Sequence, residues 1–350
     1  MISGSMWTRR KPTTMPRNIF CKPSNSNFLQ SRNQLKPTGI FNMKRKNASL
    51  FSSLSVFAVV TFLIIATVSC AKKQSPNDYR QQIDAWHQKR IERLKKPDSW
   101  LSLAGLYWLK QGENTFGSGK DNDIVFPKGK APAHIGKIIL TGEQAEADIA
   151  PDVPVTCDGQ PVKRIALKND QQGKPTILHL GTLSWYVIKR GKQFGIRLKD
   201  SENPPLKHFT GIERFPVDRT WRIKARYVPY DTPKQVDIPT VLGTVVKEKA
   251  PGQLRFEYQG KTYHLEALDD GDAFFVIFGD ATNGKESYHA GRFLVVDKPD
   301  EQGVTYIDFN KAYNPPCAFT PYATCPLPPR ENILPFAVTA GEKDYGHHQR

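Results

Sequence analysis

The stretch "LRFEYQGKTYHLEALDDGDAFFVIFGD", Leu254 to Asp280, decides the fold. On either side of Gln259-Gly260 apolar residues alternate with polar ones: Leu254, Phe256 and Tyr258 before the pair, Tyr263, Leu265 and Ala267 after it. A period of two sends successive side chains to opposite faces of an extended chain, so each half reads as a strand with one face on a core. A two-residue centre ending in glycine joins the halves into a hairpin. The run "AFFVIF" from Ala273 has no polar face and suits a central strand covered on both sides.

The same grammar extends in both directions. From Gly112 onward, "NDIVFP", "GKIILTG", "VPVTCDGQPV" and "TILHLGTLSWYVIKRGKQFGIRLKD" are short apolar runs punctuated by Gly, Asp, Asn and Pro, the pattern of antiparallel strands joined by tight turns. In "IKRGKQFGIRL", Gly191 is placed to take a positive φ, with Val187, Phe194, Ile196 and Leu198 on one face. Pro204, Pro205, Gly211 and Pro216 then interrupt the periodicity, and strands resume with "WRIKARYVPY", "GRFLVVDKP" and "VTYIDFN". The expected fold class is mainly β, in two packed antiparallel units: a sandwich over residues 112–205 and a second sandwich or barrel-like unit over 206–350. One large sandwich is the alternative. Ahead of them, within a 70–111 tether, Tyr79, Ile83, Trp86, Ile91 and Leu94 recur at helical spacing and predict an amphipathic helix that stops before Lys96-Pro97. The apolar segment from Trp100 to Leu109 is expected to pack beside it as a second short helix.

The first 70 residues carry ten Lys or Arg and no acid, the bias of a targeting sequence. Residues 1–42 read as sequence upstream of a later start at Met43. Residues 43–69 read as a lipoprotein signal peptide, with basic Lys44, Arg45 and Lys46, an apolar core from Leu54 to Val68, and then Cys70. The ending "TVSC" resembles a bacterial lipobox, which implies cleavage before Cys70 and a lipid on its thiol. An uncleaved anchor is the alternative, and both place the body in the cell envelope as a membrane-tethered protein. Removing the ten leader charges from 50 leaves 40 basic against 34 acidic residues, a net of +6, so a nucleic-acid partner is not implied. Cys157, Cys317 and Cys325 remain. In an oxidising envelope the close pair Cys317 and Cys325 is a disulfide candidate, and Cys157 a lone core thiol.

Near the end of the chain, "DFNKAYNPPCAFTPYATCPLPPRENILPF" holds seven prolines and two cysteines between Asp308 and Phe336, a packed loop rather than a helix or central strand. With "SYHAGRF" it supplies the candidate chemistry: His289 as general base, Arg292 as a two-pronged grip on a small anionic ligand, and Asp308 to orient either. Asn310, Tyr313 and Asn314 would add ligand-binding groups. A purely structural use of the same side chains competes with this reading. No metal and no cofactor is expected: two cysteines alone make no zinc site, and the spacing of Asp280, Asn283 and Glu286 is not that of a calcium loop. GxSxG, HExxH and GxGxxG are absent from the sequence. The function expected on these grounds is that of a binding or accessory protein. A hydrolase using the "SYHAGRF" and "DFNKAYNPPC" segments is the rival.

The segment "GDATNGKESYHAGRFLVVDKPDEQGVTYIDFNKAYNPPCAFTPYATCPLPPRENILPFAVTAGEK", with "WLSLAGLYWLKQGENTFGS" near the start, resembles the DUF1684 family over about Asp78 to Lys343. That family carries no assigned activity, so the resemblance implies a shared fold and no chemistry. Ala290-Gly291-Arg292 stands where members tend to read Gly-Gly-Arg. Inside the first unit, "NTFGSGKDNDIVFP" and "APAHIGKI" are similar to the opening of a forkhead-associated (FHA) sandwich. Of the residues framing that family's phosphothreonine pocket only His134 is present: Gly117-Ser118 replaces the Gly-Arg turn and Ala133 the serine. The similarity therefore implies the sandwich and not phosphopeptide binding.

Overall fold

The hairpin at Gln259-Gly260 forms as the alternation requires, pairing Tyr258 with Lys261 and continuing in register to Gly252 and Ala267. In the computed structural model, residues 76–346 are described. The expectations for residues 1–42, the signal peptide over 43–69 and Cys70 fall outside the described residues. Among the described residues no helix is long and apolar enough to cross a membrane.

The hairpin strands are β13 (Val245–Tyr258) and β14 (Lys261–Asp269), between β12 (Arg222–Pro239) and β15 (Ala273–Phe278). With β16 (Arg292–Asp297) and β17 (Val304–Asp308) they make one antiparallel sheet of order β16-β15-β14-β13-β12-β17. Thr305 Oγ1 on the last strand donates to Asp297 O at the end of β16 at 2.8 Å, so the two edges approach and the sheet is nearly a closed barrel. Phe256, Leu265, Phe274, Val276, Phe278, Leu294 and Ile307 fill its interior, together with Leu334, Val338 and Ala340 from the C-terminal segment. The other face of the same strands carries Phe275, Ile277 and Phe293, which with Val236, Ile238 and Leu268 form a second core under Tyr313, Ala323 and Cys325 of the proline-rich stretch. This is why "AFFVIF" lacks a polar face: alternate residues feed two cores. Each wholly buried phenylalanine there contributes about 1.5–3 kcal/mol through its burial.

The first unit is a sandwich. One sheet has five strands: β2 (Gly112–Gly117), β3 (Ile124–Val125), β4 (Gly136–Thr141), β5 (Gln144–Ile149) and β8 (Arg164–Leu167). The other has six, and contains β1 (Leu103–Trp108), β6 (Thr156–Cys157), β7 (Gln160–Pro161), β9 (Leu178–Leu180), β10 (Leu183–Arg190) and β11 (Gln193–Asp200). Trp185 meets Phe116 and Phe126 edge to face at its centre. Gly191 takes φ 59° in the β10–β11 turn, as predicted. Cys157 is half-buried at the margin of this core.

One expectation is corrected. The segment after Trp100 makes a single 3-10 turn and then becomes β1, an edge strand pairing with β11, so the sandwich begins at Leu103 and not at Gly112. The exposed edge of β11 offered a backbone ladder that a short helix would have left unmade. The preceding helix, α1 (Pro76–Leu94), ends ahead of Pro97 and buries Ile83 and Leu94. Between the two β units lies a short helical turn, α2 (Pro204–Lys207), at the proline-rich break.

Candidate functional site

The residues singled out in the sequence divide sharply between interior and surface. Arg292 opens β16 and is fully buried. Its Nη2 donates to Asp280 Oδ2 at 2.8 Å and to Val338 O at 2.9 Å, while Nη1 serves the carbonyls of Ala340 and Glu342. Asp280 Oδ1 accepts from Thr282 N at 2.9 Å, Thr282 Oγ1 at 2.6 Å and Val338 N at 3.1 Å. The guanidinium thus ties the strand to the C-terminal segment that plugs the barrel. Burial pushes its pKa down, and Asp280 works against that shift. Arginine starts so high that it stays charged.

Glycine at 291 is what brings Arg292 into this position. Gly291 has φ +85°, and a Cβ there would stand 2.4 Å from Pro328 Cγ and 2.6 Å from Phe278 O. Ala290 adopts no such backbone angle, which explains why alanine fits there.

Asp308 and Asn310 are spent on backbone. Asn310 Oδ1 accepts from Asp218 N at 3.0 Å and its Nδ2 donates to Asp218 O at 2.8 Å, a two-way clamp on the turn before Trp221. Asp308 accepts from Asn310 N and Nδ2, both at 3.2 Å. Asn314 N donates to Glu342 Oε2 at 2.7 Å and Asn314 Nδ2 to Lys343 O at 2.7 Å. Arg90 of α1 completes that node: its Nε donates to Glu342 Oε1 at 3.0 Å, its Nη2 to Asn314 O at 2.9 Å, and its guanidinium lies 4.7 Å from the Tyr313 ring centre. The expected pairing of Asp308 with Arg292 is therefore replaced by Asp280 with Arg292. Nor does Arg292 reach any surface where it would grip an anion.

His289 and Cys317 stand apart from these nodes. His289 is exposed, its ring 4.5 Å from that of Tyr288. Both line a groove of about 580 Å³ with Tyr288, Phe319 and Tyr345. A second groove of about 670 Å³, lined by His208, Glu213, Lys285, Glu286 and Lys343, adjoins it through Asp344 and Tyr345. Burial raises the Tyr288 phenol, with the sulfurs of Cys317 and Cys325 adding to the effect, so it remains a neutral donor. Cys317 and Cys325 are thiols here, with Cys317 N donating to Cys325 Sγ at 3.2 Å. Among the described residues no hydrogen bond joins His289 to Cys317 or to Asp308, and no three His, Cys, Asp or Glu side chains are placed to hold a metal. Sequence reading missed Asp280 as the partner of Arg292, and it missed Arg90 and Glu342 altogether. The available signal was an aspartate closing the apolar run "FFVIFGD", where a charge is costly unless paired.

Fold and site together define a mainly β protein, a sandwich followed by a nearly closed barrel, whose end segment is locked by two buried ion pairs and flanked by an open groove. The model of a family described as "Protein of unknown function (DUF1684)" matches residues 207–343, which is the barrel unit and not the longer span suggested by the sequence. The chain belongs to the DUF1684 family. An uncharacterized protein of Haloarcula marismortui, solved by solution NMR, is 32% identical, with 41% of this chain and 80% of that one covered and a TM-score of 0.35. The FhaA FHA domain, solved in complex with another protein's intracellular domain, is 17% identical over 27% of this chain and 97% of its own, with a TM-score of 0.20. No curated protein matches.

Proposed function

We propose that this is a lipid-anchored binding protein of the cell envelope, not an enzyme, and that its ligand lies in the groove beside His289, Tyr288 and Tyr345. One observation carries the reading: the polar groups a hydrolase would need from the signature segments, Arg292, Asp308, Asn310 and Asn314, are bonded to other parts of the protein. The two reactive groups that do face the groove, His289 and Cys317, are not joined as base and nucleophile, which is the contact such a step requires. A small ligand with an anionic group meets Lys285, Lys343 and His208 in the adjoining groove, and Glu213 and Glu286 suit a second group of opposite charge. The envelope address rests on the basic, apolar and Cys70-terminated leader.

The test is a pair of assays on the purified protein. Ester, phosphoester and peptide substrates should show no turnover, whereas a panel of small anionic and zwitterionic compounds should raise the melting temperature in the wild type and not in Tyr345→Ala. Turnover that disappears in His289→Ala or Cys317→Ser would replace this reading with the hydrolase.

A further inference from the structure

We propose that a second pocket, sharing no lining residue with the groove, binds a short-chain apolar carboxylate, with its head on Thr324 and Arg190 and its chain against the barrel. The cavity is about 200 Å³, below the roughly 300–1,000 Å³ of sites for drug-sized molecules. It lies where the β10–β11 turn meets the β12–β13 tip. Its walls are mostly apolar, from Ile238, Leu242, Val245, Val246 and Pro326, with Thr240 and Thr244 among them.

One end is polar in a way the protein does not use up. Thr324 Oγ1 accepts from Arg190 Nε at 2.9 Å and from Arg197 Nη2 at 3.2 Å. A hydroxyl has two lone pairs and one proton. With both lone pairs taken by guanidinium groups, the proton remains for an acceptor in the cavity that Thr324 lines. Arg190 spends Nε on that contact and Nη1 on Lys189 O at 2.7 Å and Asp170 Oδ2 at 2.8 Å, so none of these bonds uses Nη2. Arg190 is paired with the one carboxylate, Asp170, and Lys247 adds a second cation at the lining. The end is therefore net positive and offers two donors side by side, which is what the two oxygens of a carboxylate take. A bare phosphate would leave the apolar walls uncovered. A neutral alcohol would leave the positive charge unanswered.

Titration calorimetry on the intact protein with sodium octanoate tests this, against octan-1-ol of the same chain length and sodium phosphate. Octanoate is expected to bind saturably at one site, octanol at least about tenfold more weakly, as the loss of a charge-assisted contact implies, and phosphate not at all. Thr324→Val, which removes the hydroxyl, and Leu242→Trp, which fills the apolar end from the exposed tip, should each weaken octanoate by about tenfold or more. Circular dichroism and melting temperature check that both variants fold. Should Thr324→Val fail to fold, octanol and Leu242→Trp still decide. Octanol binding as tightly as octanoate, octanoate binding unchanged in Leu242→Trp, or no saturable octanoate binding would each overturn the proposal.

Discussion

Arg292 Nη2 donates to Asp280 Oδ2 at 2.8 Å with both side chains wholly removed from solvent. A charge pair this deep rarely makes a fold more stable than well-packed apolar residues would. What it gives is a fixed path for the chain: Asp280 lies just past the end of β15, Arg292 opens β16, and the carbonyls of Val338, Ala340 and Glu342 gather around them. The signature segments are then a lock on the barrel.

The turn that delivers Arg292 should tolerate no Cβ at residue 291. Gly291→Ala meets both a positive φ and atoms of Pro328 and Phe278 closer than any van der Waals contact. A loss of about 1–3 kcal/mol is expected from strain and overpacking, read by urea unfolding. Ala290→Gly, at a residue without that backbone angle, should cost much less.

In the sandwich, Asp123 accepts from Lys110 Nζ at 2.5 Å, Thr115 N at 2.9 Å and Thr115 Oγ1 at 3.0 Å. The Lys110 contact, then the Thr115 bonds, hold its carboxyl down from 3.8 to about 2. A depressed folded value means that the contribution to stability is present in full above 3.8 and is lost as pH falls through about 2. Carboxyl NMR titration should give that midpoint. In acid unfolding, Asp123→Asn should lack this part of the pH dependence seen in the wild type.

The fold was legible because its cause is local. Alternation around Gln259-Gly260 and the doubly apolar Ala273–Phe278 run specify strands, and the core that each face meets follows from the pleat. Strand β1 was not legible, since "LAGLYW" has no clean period and becomes a strand only because the edge of β11 is there to pair with. The site was harder still. Types such as His, Arg, Asp and Asn signal chemistry and buried bonding equally well, and the choice depends on partners far along the chain. Arg90 and Glu342 are 252 residues apart, and no spacing rule connects them.

Cys317 N lies 3.2 Å from Cys325 Sγ, so the two cysteines are neighbours within the proline-rich stretch. In protein taken from an oxidising envelope, non-reducing peptide mass spectrometry should find Cys317 linked to Cys325. Two alkylated thiols in native preparations would count against the cross-link.

Lipid attachment at Cys70 is open to an equally direct check. Metabolic labelling with a tagged fatty acid should mark the wild type and not Cys70→Ser, which should also leave the membrane fraction or stall as precursor. Undiminished labelling of Cys70→Ser would remove the anchor from the account.

The central claim is that Arg292 holds the fold and does not hold a ligand, and a double-mutant cycle with Asp280 tests it most directly. Urea unfolding of Arg292→Met and of Asp280→Leu should each show a loss of about 3–5 kcal/mol, the cost of stranding a buried charge, with the double variant losing clearly less than the two together. If Arg292→Met unfolds within about 0.5 kcal/mol of the wild type, as a surface residue would, the lock is wrong and Arg292 returns as a ligand-binding group.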